Sequence, residues 1–352
     1  MSVVTALRDP PRVPDLERRI AFLTDPASYP EGVRSVRAIE THRSWVFLTE
    51  RNAYKLKKPE ALDVDLRAVE AREAHCRAEV RLNRRLADDV YLGVVALRTR
   101  PSGALALGGE GEAVDWLVWM RRLPGDRMLD AMIRMGTVLP KDVRAFVEPL
   151  TRFYKASVPA ATNGPERRAH LAARIAQIVQ ELTAHPRHLP RLRVEDIAEA
   201  QLAFLERHDE MLDRRVAEGH CLEGHGDLRP EHICLESAPR IIDCLDFSQE
   251  LRIVDPAEEL GFLSLECERL YAPWVKEAVF DVYTDMTGDR PDAGLVHFYQ
   301  SCHACVRANL ALRHLLDPHP REPQRWPTLA RVYLRLATAH LEAAGCDLPS
   351  RH

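Results

Sequence analysis

The stretch His225-Gly226-Asp227-Leu228-Arg229-Pro230-Glu231-His232 is the most informative part of this 352-residue sequence. Its glycine and proline, together with its lack of helical or strand periodicity, predict an irregular loop that carries the carboxylate of Asp227. Two short apolar runs within residues 233–243 predict a β-hairpin that ends at Asp243. A lone loop aspartate is usually a turn or cap residue, but two carboxylates that flank one hairpin can converge on a single cleft.

Arg229 and His232 add a cation and a further potential ligand to the same loop. Phosphoryl transfer uses this combination: a group that orients the acceptor hydroxyl, ligands for a metal that binds the phosphates, and positive charge on the transferring group. Carboxylate oxygens are hard ligands that suit Mg²⁺. The loop and the hairpin together therefore favour phosphoryl transfer more strongly than either aspartate does alone.

The overall composition restricts the class of protein. With 352 residues, of which 46% are hydrophobic and 29% charged, the chain is long enough to form two lobes. A formal net charge of −4 and a pI of about 6.4 provide no basic field that would attract nucleic acid or an anionic membrane. We therefore expect neither as a partner.

The apolar segments and the cysteines bear on localisation and on metal binding. No apolar run approaches the roughly 18 residues of a membrane span, and the one at residues 3–7 is too short for a signal peptide, so a cytoplasmic protein is expected. The eight cysteines are scattered through apolar segments, as is typical of buried free thiols. Cys302 and Cys305 have the spacing of a metal-binding pair, but no second pair completes a zinc site.

The order of the predicted elements indicates an α+β fold. Up to residue 120, strands surround one long amphipathic helix at 66–86, and the β-rich runs 45–49 and 53–57 predict a hairpin. The glycine-rich segment 108–111 is expected to be another hairpin turn. From residue 121 onward the pattern is mostly helical. Helices are expected at 141–156, 166–184, 194–218, 256–269, 273–286, 295–316 and 328–344.

The loop and the residues Ile242-Asp243 resemble the aminoglycoside phosphotransferase and choline kinase superfamily. The loop is also similar to the protein-kinase sequence H-R-D-L-K-P-E-N. Trp45 to Thr49, Ala53 to Pro59 and Leu82 to Leu86 look like a bacterial group whose phosphotransferase domain is often followed by a P-loop ATP-binding domain. The sequence contains no G-x-x-x-x-G-K-[ST], so that second domain is expected to be absent.

The resemblance implies a bilobal protein-kinase-like fold. A β-rich N-lobe with one long helix would occupy residues 1–120 and bind the nucleotide, and a mostly helical C-lobe would occupy residues 121–352. It also implies an ATP-dependent kinase that transfers the γ-phosphate to a hydroxyl group of a small molecule. A nucleotide-binding pseudokinase or regulatory protein without efficient catalysis is the alternative.

The resemblance assigns roles to four residues of the C-lobe. Asp227 would be the catalytic base, Arg229 would contact the γ-phosphate, and Asp243 would be a Mg²⁺ ligand. His232 stands where the superfamily has a metal-binding asparagine, and imidazole is a poorer ligand for a hard octahedral cation. His232 therefore either binds metal less tightly, tolerating Mn²⁺ better, or makes a hydrogen bond that shapes the loop.

The resemblance also places the nucleotide on the N-lobe. Lys55 would hold the α- and β-phosphates of ATP, with Lys57 as the alternative because alternate side chains of a strand share a face. Glu79 would pair with this lysine, unless it is only a solvated helix charge. Adenine would meet the backbone at Trp119-Met120-Arg121.

The acceptor and the oligomeric state stay open. The C-lobe helices that would build the acceptor pocket carry many acidic groups, which would suit an amine, although helix surfaces are often charged only for solubility. Sugars, amino alcohols and other hydroxylated metabolites fit the resemblance equally well. The charged groups in question are Glu231, Glu258, Glu259, Glu266, Asp281, Asp285, Arg307 and Arg313.

Overall fold

The computed structural model describes residues 15–41, 43–59, 65–316, 320 and 322–348. Residues 3–7, on which the signal-peptide expectation rests, lie outside these ranges. The chain divides into two compact units, Met1–Pro124 (unit 1) and Gly125–His352 (unit 2). Within the described residues, no helix is long and apolar enough to cross a membrane.

Unit 1 is built on one six-stranded antiparallel sheet in the order β1-β2-β3-β6-β4-β5. Its helices and strands are α1 (Leu16–Thr24), β1 (Arg37–Glu40), β2 (Ser44–Leu48), β3 (Asn52–Lys57), α2 (Val69–Asn83), β4 (Tyr91–Thr99), β5 (Leu105–Leu107) and β6 (Glu112–Arg121). The predicted hairpin is present as β2 and β3. Alternate side chains point to one face, where Phe47, Leu56 and Leu117 are fully buried.

The segment 108–111 is not the hairpin turn that we expected. It connects β5 to β6, but these strands do not pair, because β4 lies between them in the sheet. The connection therefore crosses the end of β4, and a Cβ at Gly111 would lie 2.5 Å from the Thr99 carbonyl oxygen. The glycines serve this close crossing and not a two-strand turn.

A buried ion pair fixes α2 against the sheet. Asp115 on β6 is fully buried, and its carboxylate accepts a hydrogen bond of 2.6 Å from Nε of Arg72 on α2 and another from Arg19 on α1. Arg72 also donates to the backbone carbonyl of Val114 at 3.0 Å. Loss of one partner of such a pair leaves an uncompensated buried charge, which costs about 3–5 kcal/mol. This contact holds α2 in register with the strands that face it.

Unit 2 is mostly helical. Its helices are α3 (Leu129–Arg134), α4 (Pro140–Ala156), α5 (Gly164–Thr183), α6 (Arg191–Arg207), α7 (Asp209–Ala217), α8 (Pro256–Arg269), α9 (Val275–Thr287), α10 (Ala293–Arg313) and α11 (Arg325–Ala343). Two short antiparallel pairs interrupt them: β7 (Leu222–Glu223) with β10 (Ile253–Val254), and β8 (Ile233–Cys234) with β9 (Arg240–Ile241). The second pair is the hairpin expected after the loop.

Most of the predicted helices of unit 2 are present, with one correction. The single helix expected at 194–218 is two helices, α6 and α7, which are separated at His208. The His208 ring packs 4.3 Å from the ring of Phe204, which itself stacks on Phe298 of α10 at 4.5 Å. The short helix α3 was not predicted.

Candidate functional site

The loop 225–232 is anchored to α8 by Glu259, which is 2% exposed. One carboxylate oxygen of Glu259 accepts hydrogen bonds from the backbone N–H groups of His225 and Gly226, at 2.9 and 2.6 Å. The other accepts from the hydroxyl of Tyr154 on α4 at 2.6 Å. Helix α8 begins at the cap residue Asp255, whose side chain accepts from Ala257 N–H at 2.8 Å. The helix start and the loop are therefore tied together.

The backbone conformation of the loop at position 226 requires a glycine. Its φ is +83°, a region that residues with a Cβ rarely adopt. A Cβ at this position would lie 3.0 Å from Cβ of Leu245 and 3.1 Å from Cγ of Arg252. The His225 ring, fully buried, has Nε2 2.8 Å from the carbonyl oxygen of Ile242. The loop is thus fastened to the residue that precedes Asp243.

Asp227, Arg229, His232 and Asp243 form one cluster. Nε of Arg229 lies 3.0 Å from Oδ1 of Asp227. The His232 ring lies between the two carboxylates, with Nδ1 3.8 Å from Oδ2 of Asp227 and Nε2 3.4 Å from Oδ2 of Asp243. The convergence of two carboxylates that the sequence suggested is therefore present within unit 2.

Both ring nitrogens of His232 have hydrogen-bond partners. Nδ1 lies 2.8 Å from the backbone carbonyl oxygen of Asp227, and Nε2 lies 2.9 Å from Nη2 of Arg229. A carbonyl only accepts and a guanidinium only donates, so Nδ1 carries the hydrogen and Nε2 accepts. Burial and the adjacent Arg229 lower the pKa of His232 below its ordinary 6.5, which agrees with a neutral ring.

The two carboxylates differ in their surroundings. Burial by itself would raise the pKa of Asp227, but the charges of Arg229 and Arg307 hold it below its ordinary 3.8, so the group is ionised at neutral pH. Asp243 is 43% exposed and has a φ of +61°. This conformation is uncommon for a residue other than glycine, and such strain is often found at functional sites.

In unit 1 the structure brings together Lys55, Lys57 and Glu79. The carboxylate of Glu79 on α2 is almost fully buried and lies 2.9 Å from Nζ of Lys55 and 2.7 Å from Nζ of Lys57. The side chain of Lys55 is 18% exposed and that of Lys57 is 8% exposed. Glu79 is therefore an ion-pair partner of both lysines and not a solvated helix charge.

Trp119-Met120-Arg121 lies at the end of β6. Met120 faces Ala53 of β3 across the sheet, two residues from Lys55, and Trp119 is 37% exposed. The backbone N–H of Arg121 donates to the Val90 carbonyl at 2.8 Å. These residues share the sheet with the two lysines, but on the neighbouring strand.

No group of three or more His, Cys, Asp or Glu side chains within the described residues is arranged to hold a metal ion. Cys302 and Cys305 are free thiols, and Cys305 lies in the buried core. A protein-bound Mg²⁺ ion often takes only one or two protein carboxylates, and phosphates and water complete its shell. The cluster of Asp227 and Asp243 is therefore the donor set to consider for Mg²⁺.

The chain matches no protein-family model. Uncharacterised proteins of Mycobacterium tuberculosis (strain H37Rv) and Mycobacterium bovis are each 30% identical to it over 316 residues, which make up 87% of this chain. The chain spans 61% of the length of these relatives.

Solved structures give a clearer likeness. A choline kinase of Cryptosporidium parvum superposes with a TM-score of 0.55 at 10% identity, covering 92% of this chain and 95% of that one. A choline kinase of Streptococcus pneumoniae gives 0.53 at 14%, covering 88% and 94%. A choline/ethanolamine kinase family protein of Mesorhizobium loti gives 0.51 at 15%, covering 93% and 98%.

The chain shares the protein-kinase-like fold of these two choline kinases and of the choline/ethanolamine kinase family protein. The expected α+β class, with a β-rich unit that carries one long helix and a mostly helical unit, is confirmed.

Three acidic residues on α8 fit neither of the two interpretations left open by the sequence, acids of an acceptor pocket or charges on a solvated helix surface. Glu258, Glu259 and Glu266 are all buried and paired. Glu258 pairs with Arg167 and Glu266 with Arg307, while Glu259 holds the loop. The sequence gives no sign of these contacts, because they join residues that are more than 30 positions apart.

Proposed function

We propose that this chain is an ATP-dependent phosphotransferase that moves the γ-phosphate of ATP to a hydroxyl group of a small molecule. The observation that carries the proposal is the cluster of Asp227, Arg229, His232 and Asp243 on a loop that Glu259 and Gly226 hold in one conformation. Such pre-organisation is the main contribution that a protein makes to phosphoryl transfer.

Asp227 is the proposed catalytic base. Its ionised carboxylate orients the acceptor O–H and takes the proton as the acceptor oxygen forms its bond to the γ-phosphorus. The bond between the γ-phosphorus and the bridging oxygen breaks, and ADP leaves with the electron pair. Arg229, whose Nη1 donates no hydrogen bond within the described part of the chain, would neutralise charge on the transferring group.

Lys55 is proposed as the lysine that binds the α- and β-phosphates. It is the more exposed of the two lysines that contact Glu79, so its ammonium can reach a ligand while Glu79 holds it. Lys57 is more deeply buried and is proposed to stabilise α2 against β3. The backbone and side chains at Trp119-Met120-Arg121 remain the proposed adenine contact, on the strand next to Lys55.

Mg²⁺ fits the oxygen donors of this cluster better than it fits the imidazole. The carboxylate of Asp243 is partly exposed, whereas Nε2 of His232 faces a guanidinium nitrogen at 2.9 Å, where a metal cation would meet an arginine. We therefore assign the metal to Asp243 and the shaping of the loop to His232. Bound with ATP, Mg²⁺ would neutralise charge on the β- and γ-phosphates.

The test uses the purified chain with ATP, Mg²⁺ and an extract of small metabolites, analysed by mass spectrometry for the gain of one phosphoryl group. Asp227→Asn is expected to lower turnover by about a hundredfold or more while a non-hydrolysable ATP analogue still binds. Glu277→Gln, on the exposed side of α9, is the control and should keep the wild-type rate. Equal rates in Asp227→Asn and wild type would refute the proposal.

A nucleotide-binding protein without efficient catalysis is the second candidate. The engagement of His232 by Arg229, at the position of a metal-binding asparagine, favours it. It would be supported if the nucleotide binds but no metabolite gains a phosphoryl group with either Mg²⁺ or Mn²⁺.

A further inference from the structure

A set of arginines surrounds the catalytic loop on the side of α8 and α10. Arg269 on α8 lies 3.4 Å from Oε1 of Glu231, a residue of the loop itself. Arg269 and Arg307 share the fully buried carboxylate of Glu266, at 2.8 and 3.0 Å. Loop, helix α8 and helix α10 are therefore joined by one continuous chain of charged contacts.

Glu266 and Tyr333 hold the side chain of Arg307 through only one of its five N–H donors. Its Nε donates to Glu266 at 3.0 Å and shares the hydrogen with the hydroxyl of Tyr333 at 3.4 Å. The guanidinium carbon lies 5.7 Å from the centre of the Tyr333 ring. Its two terminal nitrogens donate to no residue in the part of the chain that the structure describes, and the side chain is 18% exposed. A rigid fork with open N–H groups suits a bidentate anion.

Two ion pairs connect the guanidinium of Arg307 to the loop 225–232. Arg307 and Arg269 contact the same carboxylate of Glu266, and Arg269 contacts Glu231 of the loop. An anion bound by Arg307 would therefore lie near the loop that carries the groups proposed to transfer the phosphoryl group.

Glu258, Glu259 and Glu266 on α8 do not provide a site for an amine. Glu259 accepts from two backbone N–H groups and a tyrosine, and Glu258 pairs with Arg167 and lies 3.3 Å from His303. Glu266 is fully buried between two arginines. A cationic acceptor would find these carboxylates already neutralised and would meet the open donors of Arg307.

We propose that Arg307, supported by Glu266 and Tyr333, binds a carboxylate or phosphate group of the acceptor, so that the substrate is a hydroxylated anion and not an amino alcohol or aminoglycoside. This inference rests on the proposed function, since it names the acceptor class of the same site. A phosphate of the nucleotide is the other anion of this chemistry, and the experiment separates these two sources.

The test is equilibrium dialysis of the full chain against an equimolar mixture of gluconate, glycerate, glycerol 3-phosphate, choline, ethanolamine and kanamycin, with and without a saturating non-hydrolysable ATP analogue and Mg²⁺. Retained compounds are quantified by mass spectrometry. We expect retention of at least one of the anions above all three amines. Arg307→Gln should weaken this retention roughly tenfold or more, because a charge-assisted hydrogen bond is lost.

Two further variants keep the test decisive. Arg307→Lys keeps the charge beside Glu266 but removes the planar fork, so the protein should fold and retain the anion several-fold less well. Arg168→Gln removes another arginine that is paired with a carboxylate, Asp213 at 2.8 Å, and should retain the anion as the wild type does.

Retention of amines above the anions, or of no anion at all, would overturn the inference. So would unchanged retention in Arg307→Gln and Arg307→Lys. Loss of anion retention upon saturation with the ATP analogue would assign the fork to the nucleotide and would also overturn it. Failure of the proposed function is recognised separately, by equal phosphoryl transfer in Asp227→Asn and wild type or by absence of nucleotide binding.

Discussion

Replacing Glu259 with glutamine should selectively loosen the loop 225–232, which carries the proposed catalytic base. In the wild type its carboxylate accepts from the N–H groups of His225 and Gly226 and from the hydroxyl of Tyr154, at 2.9, 2.6 and 2.6 Å. An amide of the same shape keeps one oxygen for the two backbone donors. It presents an NH₂ group to the Tyr154 hydroxyl, which then loses its acceptor.

The magnitude follows from these three bonds. A hydrogen bond to a charged group contributes about 1.5–3 kcal/mol and a neutral one about 0.5–1.5 kcal/mol. A loss of roughly 1 kcal/mol for each of three bonds gives about 3 kcal/mol, which removal of a buried charge partly offsets. We expect a net loss of about 2 kcal/mol in Glu259→Gln. Tyr154→Phe removes only one bond and should cost about half as much.

Urea unfolding measures the loss of stability, and hydrogen exchange of the peptide that contains His225 and Gly226 shows where the loss occurs. In Glu259→Gln these amides should exchange more than about tenfold faster, because each 1.4 kcal/mol of local opening corresponds to a factor of ten. Glu258→Gln is the matched control, a buried acid of the same helix that pairs with Arg167 and not with the loop. Wild-type protection of the loop in Glu259→Gln would refute the assigned role of this carboxylate.

Three further predictions concern single side chains. Gly226→Ala should lose about 2 kcal/mol in urea unfolding, since φ is +83° and the new Cβ would lie 3.0 Å from Cβ of Leu245; wild-type stability would contradict this. Lys55→Met should weaken binding of an ATP analogue in calorimetry roughly tenfold with little change in melting temperature. Lys57→Met should lower the melting temperature with little change in binding of the analogue, and equal effects of the two variants would contradict the different roles proposed for these lysines. Burial lowers the pKa of His297 from 6.5 to about 4, so its contribution to stability is complete above pH 6.5 and is lost as the pH falls towards 4. His297→Phe should therefore reduce the difference between the free energies of unfolding at pH 7 and pH 5 by about 1 kcal/mol after solvent screening, as measured by urea unfolding, and an unchanged difference would count against this pKa.

The elements that could be predicted from the sequence are those with strong local signals. The β2–β3 hairpin follows from alternation of apolar residues, and α8 follows from the Asp255-Pro256 cap. The separation of α6 from α7 at His208 has no local signal, because neither proline nor glycine stands there. Strand β7 is only two residues long and exists through its pairing with β10, 30 residues further on.

The candidate site was predictable where the chain is continuous and not where it depends on distant contacts. Asp227, Arg229 and His232 lie within six residues, so their proximity was evident, and the hairpin brought in Asp243. The sequence predicted that Glu79 would pair with one lysine, and in the structure it pairs with both Lys55 and Lys57. Strand alternation places the two lysines on one face of the sheet but does not indicate which of them is more deeply buried.

Helix α8 explains why acidic composition was a poor guide to the acceptor. Nearly all of its residues are buried, so each of its carboxylates needs a partner to offset the cost of leaving water. Glu258 and Glu266 pair with arginines, and Glu259 accepts hydrogen bonds from the backbone of the loop 225–232. A ligand meets the charged groups whose donors or acceptors are not already used within the protein. On the side of the loop formed by α8 and α10, these are the terminal N–H groups of Arg307. A carboxylate counted along the sequence therefore predicts an arginine nearby more reliably than it predicts a cationic substrate.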